Sequence, residues 1–152
     1  MPAASEPDLT LPKTFRPFGV RIAIYVAAAL LVLVVVVTWL AFPPEVQDAF
    51  SWSQRFTVLG LGLMFYAGGY ALARSRVVAR EDGLTVVNGY RTRHFEWNEV
   101  LAVTLRPGSP WAELDVADGT TVAAMGIQGS DGRRAKAHVR QLRRLVEDLT
   151  HG

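Results

Sequence analysis

Residues 22–42 read IAIYVAAALLVLVVVVTWLAF, a run of 21 residues without one charged side chain. As a helix this run would measure about 31 Å, which matches the hydrocarbon core of a bilayer. It is longer than the apolar part of a cleaved signal peptide, and residues 40–44 offer no small-x-small cleavage site. Tyr25 and Trp39 fit the two interfacial positions that aromatic residues favour. We therefore predict a transmembrane helix over residues 20–42, rather than a signal peptide or a buried core element.

A second uncharged stretch, 56–73, reads FTVLGLGLMFYAGGYALA. Its length as a helix would be about 27 Å, and it contains four glycines, Gly60, Gly62, Gly68 and Gly69. Small residues let two helices in a membrane approach each other closely. Two interpretations stay open: the second helix packs on the first, or it forms a homo-oligomer contact with another copy of the chain.

Basic residues flank the two stretches on the sides away from their connection, whereas the connection itself, 43–55, holds Arg55 beside Glu45 and Asp48. Positively charged flanks stay preferentially in the cytoplasm. The pattern therefore predicts a multi-pass protein of the bacterial cytoplasmic (inner) membrane, with a cytoplasmic tail at 1–19, an extracytoplasmic loop at 43–55, a second transmembrane helix at 56–73 and a cytoplasmic domain at 74–152. The flanking basic residues are Lys13, Arg16, Arg21, Arg74, Arg76 and Arg80.

Composition limits what the remaining part of the chain can be. Of the 152 residues, 79 follow the second stretch, which is enough for one small core and too few for a large catalytic domain. The absence of cysteine from the sequence excludes disulfides, cysteine-bound zinc and thiol nucleophiles. The net charge of +2 gives no indication of a nucleic-acid partner.

After residue 73 the sequence changes to short β-type runs separated by tight turns. Asp-Gly or Asn-Gly dipeptides, which are strong hairpin signals, lie between these runs at 82–83, 88–89 and 118–119. Alternation in the fourth run predicts that Leu101, Val103 and Leu105 face the same side. We predict strands at 74–80, 84–87, 90–96, 100–106, 112–116 and 120–125.

The last segment, 131–150, has the periodicity of an amphipathic helix. Its apolar residues fall within an arc of about 120°, and a basic arc of about 100° lies beside them. We predict that the apolar arc packs on the strands and caps them. The apolar residues are Ala135, Val139, Leu142, Leu145, Val146 and Leu149, and the basic arc includes Arg140, Arg143 and Arg144.

The order of these features resembles a known family. The segments Asp82-Gly83-Leu84, Asn88-Gly89-Tyr90-Arg91-Thr92-Arg93 and Phe95-Glu96-Trp97-Asn98-Glu99-Val100 are similar to the bacterial PH-domain family typified by an actinobacterial low-molecular-weight protein antigen. Phe15-Arg16-Pro17, Trp111 and Asp118-Gly119 fit the same family. The resemblance implies a membrane α-hairpin of two transmembrane helices, followed by a PH-like domain in which antiparallel strands form a sandwich or barrel capped by a C-terminal helix. It implies no catalytic residues.

No arrangement of residues in the sequence indicates an active site. The histidines, His94, His138 and His151, are predicted in a strand, on the border of the helix and at the C-terminus. None of them belongs to a recognisable nucleophile, metal or phosphate-loop motif. We therefore predict a protein that is not an enzyme and has no metal or cofactor.

Arg91 and Arg93 are the first candidates for an anion- or partner-binding surface. They share a strand face with Phe95 and Trp97, and guanidinium groups bind carboxylates and phosphates through paired hydrogen bonds. The alternative is an exposed face on which the arginine stems cover aromatic surface. Trp97 itself is predicted to belong to the core at the end of the strand.

The helix arginines, Arg140, Arg143 and Arg144, are the second candidates. They could contact an anionic leaflet, which attracts basic residues, or they could form a solvated face. The resemblance to PH domains implies basic residues around the first hairpin wherever inositol phosphates are bound. The turn at 81–83 is acidic instead, which argues against specific phosphoinositide recognition there.

These predictions describe a non-enzymatic integral membrane protein that presents a PH-like binding or scaffold domain at the cytoplasmic surface of the membrane. Its partner would be another protein or anionic lipid headgroups. The alternative is an accessory subunit of a membrane enzyme or transporter that acts through its transmembrane hairpin.

Overall fold

The computed structural model describes residues 10–150, which contain seven strands and four α-helices. The first three helices lie between the first strand and the second, and the fourth helix follows the last strand. Two short 3₁₀ helices, Trp97–Glu99 and Gly129–Asp131, precede the fifth strand and the last helix. In chain order the elements are β1 (Lys13–Phe15), α1 (Gly19–Ala41), α2 (Pro44–Ala49), α3 (Trp52–Arg74), β2 (Arg76–Arg80), β3 (Gly83–Asn88), β4 (Arg91–Phe95), β5 (Val100–Thr104), β6 (Trp111–Val116), β7 (Thr121–Gln128) and α4 (Arg133–Thr150).

Helices α1 and α3 form an apolar hairpin, and both are long and apolar enough to cross a membrane. No side chain within α1 is buried, and within α3 only Ala73 is. The two helices pack closely at Gly69, where an added Cβ would lie 3.0 Å from Cγ2 of Ile24. The other three glycines of α3 face open space. The packing interpretation therefore accounts for Gly69, and the homo-oligomer contact stays a prediction.

Helix α3 begins at Trp52, four residues before the apolar stretch predicted at 56–73. The reason is a capping box: the Ser51 hydroxyl accepts a hydrogen bond from the Gln54 amide, and the Gln54 side chain accepts one from the Ser51 amide. The connection between the long helices, expected to be a loop, contains the short helix α2, with Pro44 in its first turn.

The seven strands form two antiparallel sheets, with the order β1-β2-β3-β4 in the first and β5-β6-β7 in the second. The hairpins predicted at 82–83, 88–89 and 118–119 are confirmed, since each joins two paired strands, although Gly83 and Asn88 already belong to β3. Strand β1 was not predicted. Residues 13–15 were assigned to a tail at 1–19, but they pair with β2 in the register Lys13 to Ala79 and Phe15 to Val77. Residues 1–9 of that tail, and His151, lie outside the described residues.

The core lies between the two sheets and α4. Phe15, Leu84, Leu114, Ile127 and Leu142 are its largest fully buried apolar side chains, and they come from β1, β3, β6, β7 and α4. The predicted apolar arc of the last helix is confirmed: five of its residues are buried, and Leu149 packs against the core while partly exposed. The helix therefore closes the two sheets into one β domain.

The predicted facing of the fourth run was wrong. Val103 is buried, but Leu101 is 65% exposed. The cause is a bulge between Val100 and Ala102, which shifts the register against β6 and turns Leu101 outward while Val100 enters the core.

The hairpin leaves the β domain at one end of the first sheet, where β1 ends and β2 begins. We call this the near end, and the opposite end, where Arg80 pairs with Gly83, the far end. Strand β7 passes the near end closely, because Gly126 has no side chain: an added Cβ would lie 2.6 Å from the backbone of Arg76. Helix α4 begins at the near end and finishes at the far end, where the Thr150 hydroxyl donates to the carbonyl of Trp97.

Candidate functional site

The start of α1 is attached to the β domain by one carboxylate. Asp131, just before α4, accepts hydrogen bonds from the amides of Phe18 and Gly19, each at 2.9 Å. The first amides of a helix have no partner within the helix and carry partial positive charge, so a carboxylate stabilises them. We call this contact the α1 junction.

The end of α3 is attached by neutral groups. Ser75, the one residue between α3 and β2, is buried; its hydroxyl donates to the Ala71 carbonyl and accepts from the Gly89 amide. The Tyr90 hydroxyl donates to the carbonyl of Ala67 at 2.8 Å. Gly89 has a φ of +59°, and an added Cβ would lie 3.3 Å from the Ala71 Cβ, so a glycine suits this turn. We call this set of contacts the α3 junction.

An open cleft of about 300 Å³ lies beside the α1 junction. We call it the basic cleft. It lies where the segment joining β1 to α1 meets the beginning of α4, and its seven lining residues include three arginines and a histidine. They are Thr14, Arg16, Pro17, Phe18, Arg21, Arg134 and His138.

The side chains of the basic cleft are held by contacts with their neighbours. The Arg134 guanidinium lies 4.3 Å from the centre of the Phe18 ring, a cation–π contact. The His138 ring meets the Phe15 ring edge to face at 5.3 Å. Arg21 is half-buried, and its Nε is a buried donor with no hydrogen-bond partner among residues 10–150.

His138 lies partly buried in the cleft, close to both positive and negative side chains. Burial lowers the pKa of His138 below its usual 6.5, and the positive charges of Arg134 and then Lys13 lower it further, while Asp131 acts in the opposite direction. The histidine is therefore held in its neutral form more firmly than an exposed one.

The charges of the β domain are unevenly distributed along its length. Acidic residues collect in the turns and the helix end at the far end, where Arg80 also lies, and basic residues collect around the two junctions at the near end. The acidic residues are Glu81, Asp82, Glu96, Glu99, Glu147 and Asp148, and the basic ones are Arg16, Arg21, Arg74, Arg76, Arg91, Arg133 and Arg134.

Arg91 and Arg93, the first sequence-predicted candidates, are exposed on β4 at the free edge of the first sheet. Arg91 begins the strand beside the α3 junction. Arg93 lies close enough to Asp118, in the β6–β7 turn, to affect it. The pKa of Asp118 is lowered by hydrogen bonds from the Thr120 hydroxyl and amide, and further by the charge of Arg93.

The helix candidates lie on a different element. All three are exposed, and the Nε of Arg143 also donates to the carbonyl of Val103 at 2.6 Å. Arg140 is about 10 Å along the helix axis from Arg133, and the other two are further still. The two candidate groups are therefore on separate elements. The helix group lies along α4, away from the near end and towards the far end.

Trp97 belongs to the core, as predicted. It is buried, and its Nε1 donates to the carbonyls of Arg80 and Glu81. Within residues 10–150 no group of three His, Asp or Glu side chains is placed to hold a metal ion.

The basic cleft was not found from the sequence. In the sequence Arg16 and Arg21 are only flanking charges and Arg134 carries no signal of its own, because the three arginines come from separate segments that fold together. The one available signal was the cluster of Arg16 and Arg21 ahead of the first apolar run.

Comparisons with known proteins agree with this architecture. Residues 74–145 match the family described as "Bacterial PH domain". Uncharacterized proteins of Mycobacterium tuberculosis and Mycobacterium bovis are 33% identical over 97 residues, which cover 64% of this chain and 63% of each relative. No solved structure matches the chain. The likeness to the bacterial PH domain family therefore lies in residues 74–145, a little under half of the chain.

Proposed function

We propose that this protein is a non-enzymatic integral protein of the bacterial cytoplasmic membrane, and that its apolar hairpin holds the PH domain against the cytoplasmic headgroup layer as a binding or scaffold module. One observation carries the proposal: the hairpin is inserted between two neighbouring strands of the same sheet, β1 and β2. A hairpin attached in this way has both of its ends on one side of any membrane that it crosses.

The exposure of the two helices supports membrane insertion. Helices α1 and α3 present apolar side chains outward along most of their length, such as Leu33, Leu40 and Leu63. In water this surface would be far larger than the apolar patches that soluble monomers carry. In a bilayer it faces hydrocarbon at no cost.

The distribution of charge supports the cytoplasmic orientation. Around the two junctions the near end carries several arginines, whereas the tip of the hairpin carries Arg55, Glu45 and Asp48. Arg55 is also engaged there, because it donates to the carbonyls of Gln47 and Phe50. The positive-inside rule then assigns the near end to the cytoplasm.

Single-cysteine labelling tests the topology, since the natural chain contains no cysteine. Asp48→Cys at the hairpin tip and Asp82→Cys at the far end are both exposed positions. In intact bacterial cells, a membrane-impermeant maleimide should label Asp48→Cys at once and Asp82→Cys only after lysis. The reverse pattern would contradict the orientation, and labelling of both in intact cells would contradict the hairpin.

The alternative function is that of an accessory subunit acting through the hairpin. It draws support from the outward-facing glycines of α3, Gly60, Gly62 and Gly68, which leave room for a neighbouring helix. Under this alternative, Gly68→Leu should dissociate a complex that survives in mild detergent. If the protein acts only through its PH domain, Gly68→Leu should cause no such loss.

A further inference from the structure

The basic cleft contains positive charge that the fold does not neutralise. Arg16 and Arg134 are exposed and Arg21 is half-buried, and no ion pair reaches any of the three within residues 10–150. The nearby carboxylate of Asp131 is occupied by the amides of Phe18 and Gly19. An anion that enters the cleft therefore meets guanidinium groups that have no carboxylate partner in the described part of the chain.

The chemistry of the lining residues fits a phosphate group. Guanidinium groups bind phosphate oxygens through paired, charge-assisted hydrogen bonds. The buried Nε of Arg21 lacks an acceptor, and a buried donor without a partner is costly, so an oxygen ligand would remove that cost. The Thr14 hydroxyl and the neutral His138 ring supply further hydrogen-bonding groups in the same cleft.

The position of the cleft indicates which phosphate it would meet. Arg21 lies in the first turn of α1, and the chain from Ile22 to Phe42 carries no charge. In a spanning helix Arg21 therefore marks the boundary between hydrocarbon and headgroups, the layer in which lipid phosphates lie. Phe18 at the edge of the cleft is 54% exposed and extends the apolar surface of α1 up to the arginines.

We propose that the basic cleft binds the phosphate group of an anionic membrane lipid, whose acyl chains then lie along α1. Arg21 and Arg134 hold the phosphate from opposite sides, one from the hairpin and one from α4, and Arg16 adds charge at the rim. The bound lipid would thereby join the hairpin to the PH domain. This inference rests on the membrane insertion proposed above.

The test uses the full-length protein in detergent, titrated with phosphatidylglycerol or with zwitterionic phosphatidylcholine and observed by native mass spectrometry. Phosphatidylglycerol should bind more tightly. Arg21→Gln and Arg134→Gln should each weaken its binding about fivefold, and together about 25-fold, because a basic residue at an anionic surface contributes on that scale. Arg80→Gln with Arg106→Gln is the matched control, because it removes the same charge from exposed positions outside the cleft.

Two further measurements test the geometry of the site and the identity of its ligand. Arg134→Lys keeps the charge but loses the paired geometry, and should weaken binding less than Arg134→Gln. Inorganic phosphate at millimolar concentration should leave the lipid bound; its displacement of the lipid would overturn the assignment to a lipid. Equal affinity for the two lipids, or a cleft double variant that binds as the control does, would overturn the site.

The labelling experiment separates this inference from the proposed function. If Asp48→Cys and Asp82→Cys confirm the inserted hairpin while phosphatidylglycerol shows no preference, only the lipid site is wrong. If the labelling contradicts insertion, both proposals fail.

Discussion

The two ends of the hairpin join the same sheet through different chemistry. At the α1 junction a charged carboxylate meets a helix N-terminus, next to a cleft of arginines. At the α3 junction a single buried serine and a tyrosine hydroxyl make neutral hydrogen bonds, with one residue between helix and strand. A change of charge or pH can therefore act on the α1 junction directly, whereas the α3 junction depends on neutral contacts.

The largest expected effect on stability concerns β1, the strand that precedes the α1 junction. Phe15 is 1% exposed, so Phe15→Ala should lower the free energy of unfolding of the β domain by about 3–5 kcal/mol. Thermal unfolding of the full chain in detergent would measure it. Phe18→Ala, at a mostly exposed position three residues later, is the control and should change little. Equal stabilities would show that β1 does not contribute to the core.

The same packing of Phe15 predicts that a fragment without β1 is less stable. A fragment of residues 74–152 lacks β1 and Phe15, so it should be less stable than a protein in which residues 10–18 are joined to residue 75 by a short flexible linker. A fragment that matches the linked protein in melting temperature would contradict the pairing of β1 with β2.

The next effect breaks the α1 junction itself. Asp131→Ala removes two charge-assisted hydrogen bonds from the start of α1, with an expected cost of about 1–2 kcal/mol. Hydrogen exchange should speed up at the amides of Phe18 and Gly19 and stay unchanged at the end of α3. Asp131→Asn keeps an acceptor and should have a smaller effect, and the exposed Ser130→Ala none.

The α3 junction should respond more weakly. Tyr90→Phe removes one neutral hydrogen bond to the Ala67 carbonyl, at a cost of about 0.5–1.5 kcal/mol. Its effect should be independent of salt, unlike that of Asp131→Ala. Tyr66→Phe is the matched control, because Tyr66 lies in α3 next to Ala67. A salt-dependent loss in Tyr90→Phe would remove the distinction between the two junctions.

The smallest effect is a pH dependence at the α1 side. Because the pKa of His138 in the folded protein lies below 6.5, the unfolded chain binds the proton more readily. The contribution of His138 to stability is therefore complete above pH 6.5 and decreases as the pH falls below that value towards the folded pKa. Melting temperatures between pH 5 and 7.5 should show this slope, and His138→Gln should flatten it. An unchanged slope in His138→Gln would assign the pH dependence to other groups.

Much of the β domain could be predicted from the sequence, because its signals are local. The Asp-Gly and Asn-Gly turns and the period of the last helix depend on neighbouring residues, and both predicted the observed elements. Leu101 shows the limit: a bulge is set by the fit between strands, and a simple alternation could not reveal it.

The candidate site could not be predicted, because its contacts join distant segments. Strand β1 has three residues, and its partner lies beyond both long helices, so no local pattern marks it as a strand. The family match likewise begins at residue 74 and does not include β1. Arg21 and Arg134 come to line the same cleft only after this strand has paired and α4 has packed.

The insertion of the hairpin between β1 and β2 also has a consequence for biosynthesis. The ribosome makes β1 first, then both long helices, and only afterwards the strand with which β1 pairs. Lys13 must wait for Ala79, so the first sheet cannot be completed while the helices are still being made. The β domain can therefore be completed only after the two long helices have come together. The time at which newly made chains gain a protease-resistant β domain would show when this happens.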